Sequence, residues 1–252
     1  REAAPMAEAA RMVEGQGASM IDINMGCPAK KVTQGYSGSA LMRTPDHALT
    51  LIEAVVRAVS IPVTLKTRLG WDDNLLNAPE IARRAEEAGI RMVTIHGRTR
   101  CQFYKGKADW HAISAVTNAV SVPVVANGDI VSSLTARQAL RESGADGVMI
   151  GRGARGKPWL LAQVAHDLHG GPAVQIPEGA AFAAMVAGHY EAMISFYGRN
   201  LGLRIARKQL GWYMDTCRTP SELRKEVLTS TTAEHTLRLI RKACQPFEKV
   251  AA

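Results

Sequence analysis

One unit repeats along this chain: a short β-branched run, then a longer stretch with helical periodicity. At Ser60-Ile61-Pro62-Val63, and again at Ser121-Val122-Pro123-Val124, a helical pattern ends and a proline opens an apolar run. Proline is tolerated as the first residue of a strand, where its missing N–H is not needed by the ladder. Five runs read as strands: Met20–Asn24, Pro62–Thr67, Met92–His96, Val122–Asn127 and Gly147–Ile150. Helical patterns fill Ser39–Val59, Ala78–Ala88, Trp110–Val120 and Ser132–Ser143, with Gly89 and Gly144 placed as C-terminal caps. Such alternation predicts βαβ units on a parallel sheet, hence the α/β class. Parallel strands deliver all their carboxyl ends to one side, where α/β enzymes place their sites.

The pattern changes after Gly170-Gly171-Pro172; from about Glu178 onward only helices are legible. We therefore expect a barrel-type domain over 1–170 and a helical domain over 171–252. A chain of 252 residues that is 46% hydrophobic can bury two cores. Its four cysteines, Cys27, Cys101, Cys217 and Cys244, form no CxxC pair and no zinc spacing. A reducing cytoplasm and no structural metal follow as expectations. No apolar run is long enough for a membrane span, so no membrane partner is expected. The formal charge is +8, and residues 170–252 carry 11 Lys/Arg against 7 Asp/Glu, which favours a polyanionic partner. The chain opens on Arg1-Glu2-Ala3-Ala4-Pro5 rather than on Met, and is read as part of a longer protein.

Polar, glycine-rich sequence closes every strand. The first ends in Asn24-Met25-Gly26-Cys27-Pro28, a turn that would present a thiol. The second ends in Lys66-Thr67-Arg68, the third in His96-Gly97-Arg98, the fourth in Asn127-Gly128-Asp129 and the fifth in Gly151-Arg152-Gly153. Lys66, near the end of an apolar strand, calls for a negative partner or a snorkelling exit to water. The last two ends each feed a helix, so their backbone N–H groups suit a phosphate. In (β/α)8 barrels that grip follows strands seven and eight, so these five strands are expected to be strands four to eight. Cys101, Cys217 and Cys244 have no comparable setting and are expected to tolerate alanine.

Together these segments resemble the tRNA-dihydrouridine synthases, most closely the bacterial B-type group. The stretches that carry the resemblance are Asp22–Lys31, Leu65–Trp71, Ile95–Trp110, Val125–Ile130 and Gly147–Trp159, in order, with Arg204–Tyr213 in the helical part. The resemblance implies an FMN-binding TIM barrel followed by a helical tRNA-binding domain. It implies hydride transfer from reduced FMN to C6 of a tRNA uracil, NADPH as reductant, and Cys27 as the acid that protonates C5. Lys66 and His96 match flavin contacts by position, and Asn127, Gly128, Asp129, Gly151 and Arg152 match the phosphate side. Asn24, Arg98 and Tyr104 fall where the family meets the base. Arg204, Arg207 and Lys208, at i, i+3 and i+4, would make a basic stripe toward tRNA. A monomer is expected at full length.

The chemistry agrees with the resemblance. Side chains cannot supply a hydride, so saturating a C=C bond needs a redox cofactor, with an acid on the opposite face. The family's barrel begins with three strands not found here, so this stretch alone is expected to hold FMN poorly. Two other readings share some features. One is a flavin barrel reducing a free dihydropyrimidine-type or dihydroorotate-type molecule, against which the basic helical tail argues. The other is an RNA-binding chain without catalysis.

Overall fold

The structure, a computed structural model, describes residues 2–245. Contacts divide it into two compact units, 1–151 and 152–252, with the last seven residues outside the described part.

The first unit opens with helix α1 (Ala3–Gly15) and strand β1 (Ile21–Asn24), followed by the one-turn helix α2 (Lys30–Thr33), a 3-10 turn over Gly38–Arg43 and α3 (Pro45–Ala58). Then come β2 (Val63–Arg68), α4 (Ala78–Glu87), β3 (Val93–His96), a 3-10 turn at His111–Ile113 with α5 (Ser114–Thr117), β4 (Val124–Asn127), α6 (Ser133–Ser143) and β5 (Gly147–Met149). All five expected strands form, trimmed or extended by a residue or two. They pair in sequence order, every pair parallel: Ile23 opposite Leu65, Leu65 opposite Val93, Val93 opposite Val124, Val125 opposite Gly147. β3 is buried along its whole length and β2 nearly so, as expected of strands covered on both faces. Between the strands the helices pack in chain order, α1 on α3, α3 on α4, α4 on α5 and α5 on α6.

Two expected helices differ. The stretch Ser39–Val59 splits at Thr44, because Pro45 cannot continue a preceding turn but is pre-shaped for the first helical position. The stretch Trp110–Val120 yields only short turns of helix; Val116 and Thr117 are β-branched, and such residues lose rotamer freedom in a helix. α6, in contrast, has both signals: Ser132 and Thr135 form a reciprocal cap, and Gly144 closes the helix at φ 66°.

The second unit holds a 3-10 turn at Arg152–Ala154, α7 (Leu160–His169), α8 (Gly179–Tyr197), α9 (Arg199–Cys217), α10 (Ser221–Thr229) and α11 (Ala233–Cys244). The contacts group α7 with the helices that follow it. α8 packs against α9 and α11 around Phe182, Val186, Tyr190, Leu210, Met214 and Ile240. The aromatic contacts inside this core are edge-on, Trp159 to Phe182 and Phe182 to Tyr213, the arrangement ring quadrupoles favour. No helix among the described residues is long and apolar enough to cross a membrane.

Candidate active site

Because β1 to β4 run parallel and in register, Asn24, Lys66, Arg68, His96 and Asn127 reach the same edge of the sheet. Asn24 is exposed, and its Oδ1 accepts from the Gly26 N–H at 3.0 Å, an Asx turn that starts the Cys27 loop. Cys27 is half-buried and its thiol is free. Its carbonyl accepts from the Ser39 N–H and hydroxyl at 3.1 and 2.8 Å, which pins the loop to the following 3-10 turn. Gly38 makes that closure possible: it adopts φ 60°, and a Cβ there would lie 2.8 Å from the Cys27 carbonyl oxygen.

Lys66 is half-buried and donates to Asn127 Oδ1 at 3.2 Å, while Asn127 Nδ2 donates to the Met149 carbonyl at 2.8 Å. One amide thus joins the tips of β2, β4 and β5. Burial and the nearby Arg68 charge push Lys66 below its ordinary value, with Asp22 opposing. His96 is 8% exposed. Burial, then the charges of Arg68, Lys66 and Arg98, push it down to about 3, so it is neutral at pH 7. An Arg98 terminal nitrogen lies 3.4 Å from His96 Nε2. Guanidinium can only donate, so Nε2 accepts and Nδ1 carries the proton. Gly128, at φ 118°, lets the backbone pass against that ring: a Cβ would come within 2.9 Å of His96 Cδ2.

Arg98 has a different setting from the base-facing one expected of it. Its side chain is 2% exposed and its donors are spent inside the protein. Nε donates to the Lys105 carbonyl at 3.1 Å, one terminal nitrogen to Asp129 Oδ1 at 3.0 Å and toward His96, the other to the Gly106 carbonyl at 2.7 Å and to Asp129 Oδ2. Five N–H groups meet five acceptors. Asp129, at φ 53°, forks onto Arg98 and also accepts from the Ala108 N–H at 2.8 Å. Its carboxylate therefore shapes the loop after β3. Tyr104 is 46% exposed and stands beside Phe103 with ring centroids 4.7 Å apart. Its ring lies 5.5 Å from the Arg68 guanidinium carbon and 6.4 Å from His96.

Sequence reasoning passed over Arg68. It is 1% exposed and donates to the carbonyls of Gly26, Thr99 and Phe103. Strand alternation held the signal, since Lys66 and Arg68 are two apart and share one face. Gly151 lies just past β5, and an added Cβ there would meet nothing within 4 Å. Arg152 begins the 3-10 turn that opens the second unit. On α9, Arg204, Arg207 and Lys208 are all exposed. Arg207 reaches the Ser230 carbonyl at 3.4 Å, and Lys208 sits 5.5 Å from the Trp212 ring, which Arg155 also covers at 4.5 Å. Among the described residues no group of three or more His, Cys, Asp or Glu is placed to hold a metal ion.

The dihydrouridine synthase family model matches residues 1–249. The chain belongs to the dihydrouridine synthase family. It is 64% identical over 243 residues to a probable tRNA-dihydrouridine synthase of Rhodobacter capsulatus, covering 96% of this chain and 74% of that protein. A probable tRNA-dihydrouridine synthase of Rhizobium leguminosarum is 59% identical over 85% of this chain and 66% of its own length. The tRNA-dihydrouridine synthase B of Xanthomonas campestris is 48% identical over 94% of this chain and 71% of its own. The chain thus spans about two thirds to three quarters of these relatives. Among solved structures, DHODH of Eimeria tenella in complex with ferulenol superposes with a TM-score of 0.51 at 18% identity, over 67% of this chain and 53% of that one. That likeness is one of fold.

Proposed function

We propose that this chain is the greater part of an enzyme that reduces uridines in tRNA to 5,6-dihydrouridine, with FMN as cofactor and NADPH as reductant. The family membership supports the reaction. The carrying observation is the convergence of a half-buried free thiol, a half-buried lysine and a neutral histidine at one sheet edge.

The fixed charges fit FMN. Arg98 is matched by Asp129, and His96 is uncharged, so the positive charges of Lys66 and Arg68 bias the site toward an anionic ligand. Lys66 and His96 would hold the flavin ring, and Asn127, Gly128, Asp129 and Gly151 its phosphate side. When bound, FMN supplies the hydride for C6 of the uracil. Cys27 gives its Sγ proton to C5 from the opposite face, which leaves a thiolate to be reprotonated from solvent. A thiol suits that task because its ordinary form at pH 7 is protonated. Tyr104 offers an exposed aromatic face for a base that must leave the RNA stack. The sheet order, parallel throughout with strands joined in sequence, supports reading β1 to β5 as strands four to eight of a (β/α)8 barrel. The helical unit is read as the tRNA-binding part, carrying Arg204, Arg207 and Lys208.

The test is Cys27→Ala in a version of full family length. Dihydrouridine formation should be lost while NADPH still reduces the flavin at the wild-type rate. Near-normal product in this variant refutes the role. Activity on free uracil equal to that on tRNA would refute the substrate.

A further inference from the structure

The Asn127–Asp129 turn that closes β4 leans on the far end of the loop after β3. The Gly97 N–H donates to the Asn127 carbonyl at 2.9 Å, and the Asp109 N–H to the Gly97 carbonyl at 2.6 Å. The Ala108 N–H donates to the Asp129 carboxylate at 2.8 Å. Gly128 lets the two segments close on each other: a Cβ there would lie 2.7 Å from the Ala108 Cβ. Into this seam Trp110 directs its indole N–H, which donates to the Gly128 carbonyl at 2.8 Å. We propose that Trp110 is a positioning residue for the flavin phosphate: it sets the orientation of the Gly128–Asp129 peptide, and with it the preference for a phosphorylated flavin. This inference rests on the reading of Asn127, Gly128 and Asp129 as the phosphate side.

An indole N–H can only donate, and a buried one needs an acceptor. Trp110 is 8% exposed, so it acts through the peptide it holds rather than by meeting a ligand. That peptide is trans, as are all those of the described residues, so its C=O and N–H point opposite ways. A Gly128 carbonyl fixed on the indole therefore turns the Asp129 N–H away from Trp110. Oriented backbone N–H groups in a left-handed turn attract a phosphate, whereas a carbonyl repels it. Gly128 and Asp129 both have positive φ, at 118° and 53°. Glycine admits several orientations of the peptide that follows it, and the bond from Trp110 selects one. Trp110 is itself anchored. Asp109 accepts from the Ala112 N–H at 2.9 Å, and the Ile113 N–H donates to the Trp110 carbonyl at 3.1 Å, so a closed turn follows the indole.

The experiment compares Trp110→Phe with wild type in a version of full family length, titrating the flavin-free protein with FMN and with riboflavin. Both ligands carry the ring that Lys66 and His96 are read to meet; only FMN carries the phosphate. Trp110→Phe should weaken FMN by at least about fivefold, as removing one partner of a buried hydrogen bond does, and leave riboflavin within about twofold. A loss shared equally by both ligands would make Trp110 a packing residue and overturn the proposal, as would an unchanged FMN affinity. If that variant does not fold, benzothienylalanine introduced at position 110 by stop-codon suppression keeps the shape of the indole and removes only its N–H. The same split between the two flavins is expected there, and its absence overturns the proposal. A wild-type protein that binds FMN no better than riboflavin would instead sink the phosphate-side reading. A wild-type preference that survives Trp110→Phe sinks this inference alone.

Discussion

A histidine whose titration has been pushed down to about 3 is a neutral hydrogen-bonding group throughout the physiological range, and His96 is such a residue. Its neutrality also limits acid stability. The unfolded chain takes up a proton at this residue near pH 6.5, whereas the folded chain does not until about pH 3. Between those values the unfolded state binds more protons, so stability falls as pH falls, with a slope of up to about 1.4 kcal/mol per pH unit from this one group. His96→Asn, which cannot charge, should flatten the decline between pH 6 and 4 in urea titrations; an unchanged slope would assign acid sensitivity to other groups. The strand ends themselves were legible, because Lys66, His96 and Asn127 close apolar runs. The inward role of Arg98 was not, because its partners Lys105, Gly106 and Asp129 arrive through tertiary folding. Cys244 is 1% exposed within the helical core, so alanine there would remove a packed sulfur.

The two Ser-x-Pro junctions seen in the sequence are each held by a carboxylate from an earlier helix. Glu14 of α1 accepts from the Ser60 N–H and hydroxyl at 2.8 and 2.6 Å and from the Ile61 N–H at 3.2 Å. Glu86 of α4 accepts from the Ser121 and Val122 N–H groups at 3.0 and 3.1 Å. The proline that follows has no N–H, so these are the last backbone donors before each strand. The repeat was visible in the chain, but its purpose required the helix register. Glu86→Ala should cost about 1–2 kcal/mol, read from the urea midpoint. The Ser60 hydroxyl, with the Ser60 and Ile61 N–H groups, holds Glu14 below its ordinary value, so its contribution is present at neutral pH and lost as pH falls through the carboxylate range. Glu14→Gln should accordingly lower the melting temperature at pH 7 and change it little at pH 3. On α9, replacing Arg204, Arg207 and Lys208 together by alanine should weaken tRNA binding and flatten its salt dependence, by a slope of about 0.9 or less for each phosphate no longer neutralised. Filter binding across a salt series reads this directly, and an unchanged slope would make the stripe a solvated surface.

At the scale of the whole molecule, the open side of the sheet is decisive. Among the described residues no strand lies against the outer edge of β1. Beside it, an apolar cavity of about 320 Å³ is lined by Met6 and Val13 of α1, Ile23 of β1, Met25, and Leu51 and Ile52 of α3. An exposed strand edge offers unpaired N–H and C=O groups to any neighbour, and apolar lining adds a hydrophobic incentive. A single charge stands on this edge, Asp22 between Ile21 and Ile23, and its carboxylate accepts from the Thr64 hydroxyl of β2 at 2.8 Å. The related synthases are longer than the matched region, which leaves sequence available to cover such a face. The 252-residue chain is therefore expected to associate in solution and to take up FMN weakly. A version extended at its amino end by roughly 75 residues, three βα units of the size barrels use, should run as a yellow monomer. Size-exclusion chromatography with FMN titration on both proteins makes the comparison. A monomeric, flavin-loaded 252-residue chain would mean that the edge of β1 is satisfied within the chain itself, and the assignment of these strands as four to eight would fall.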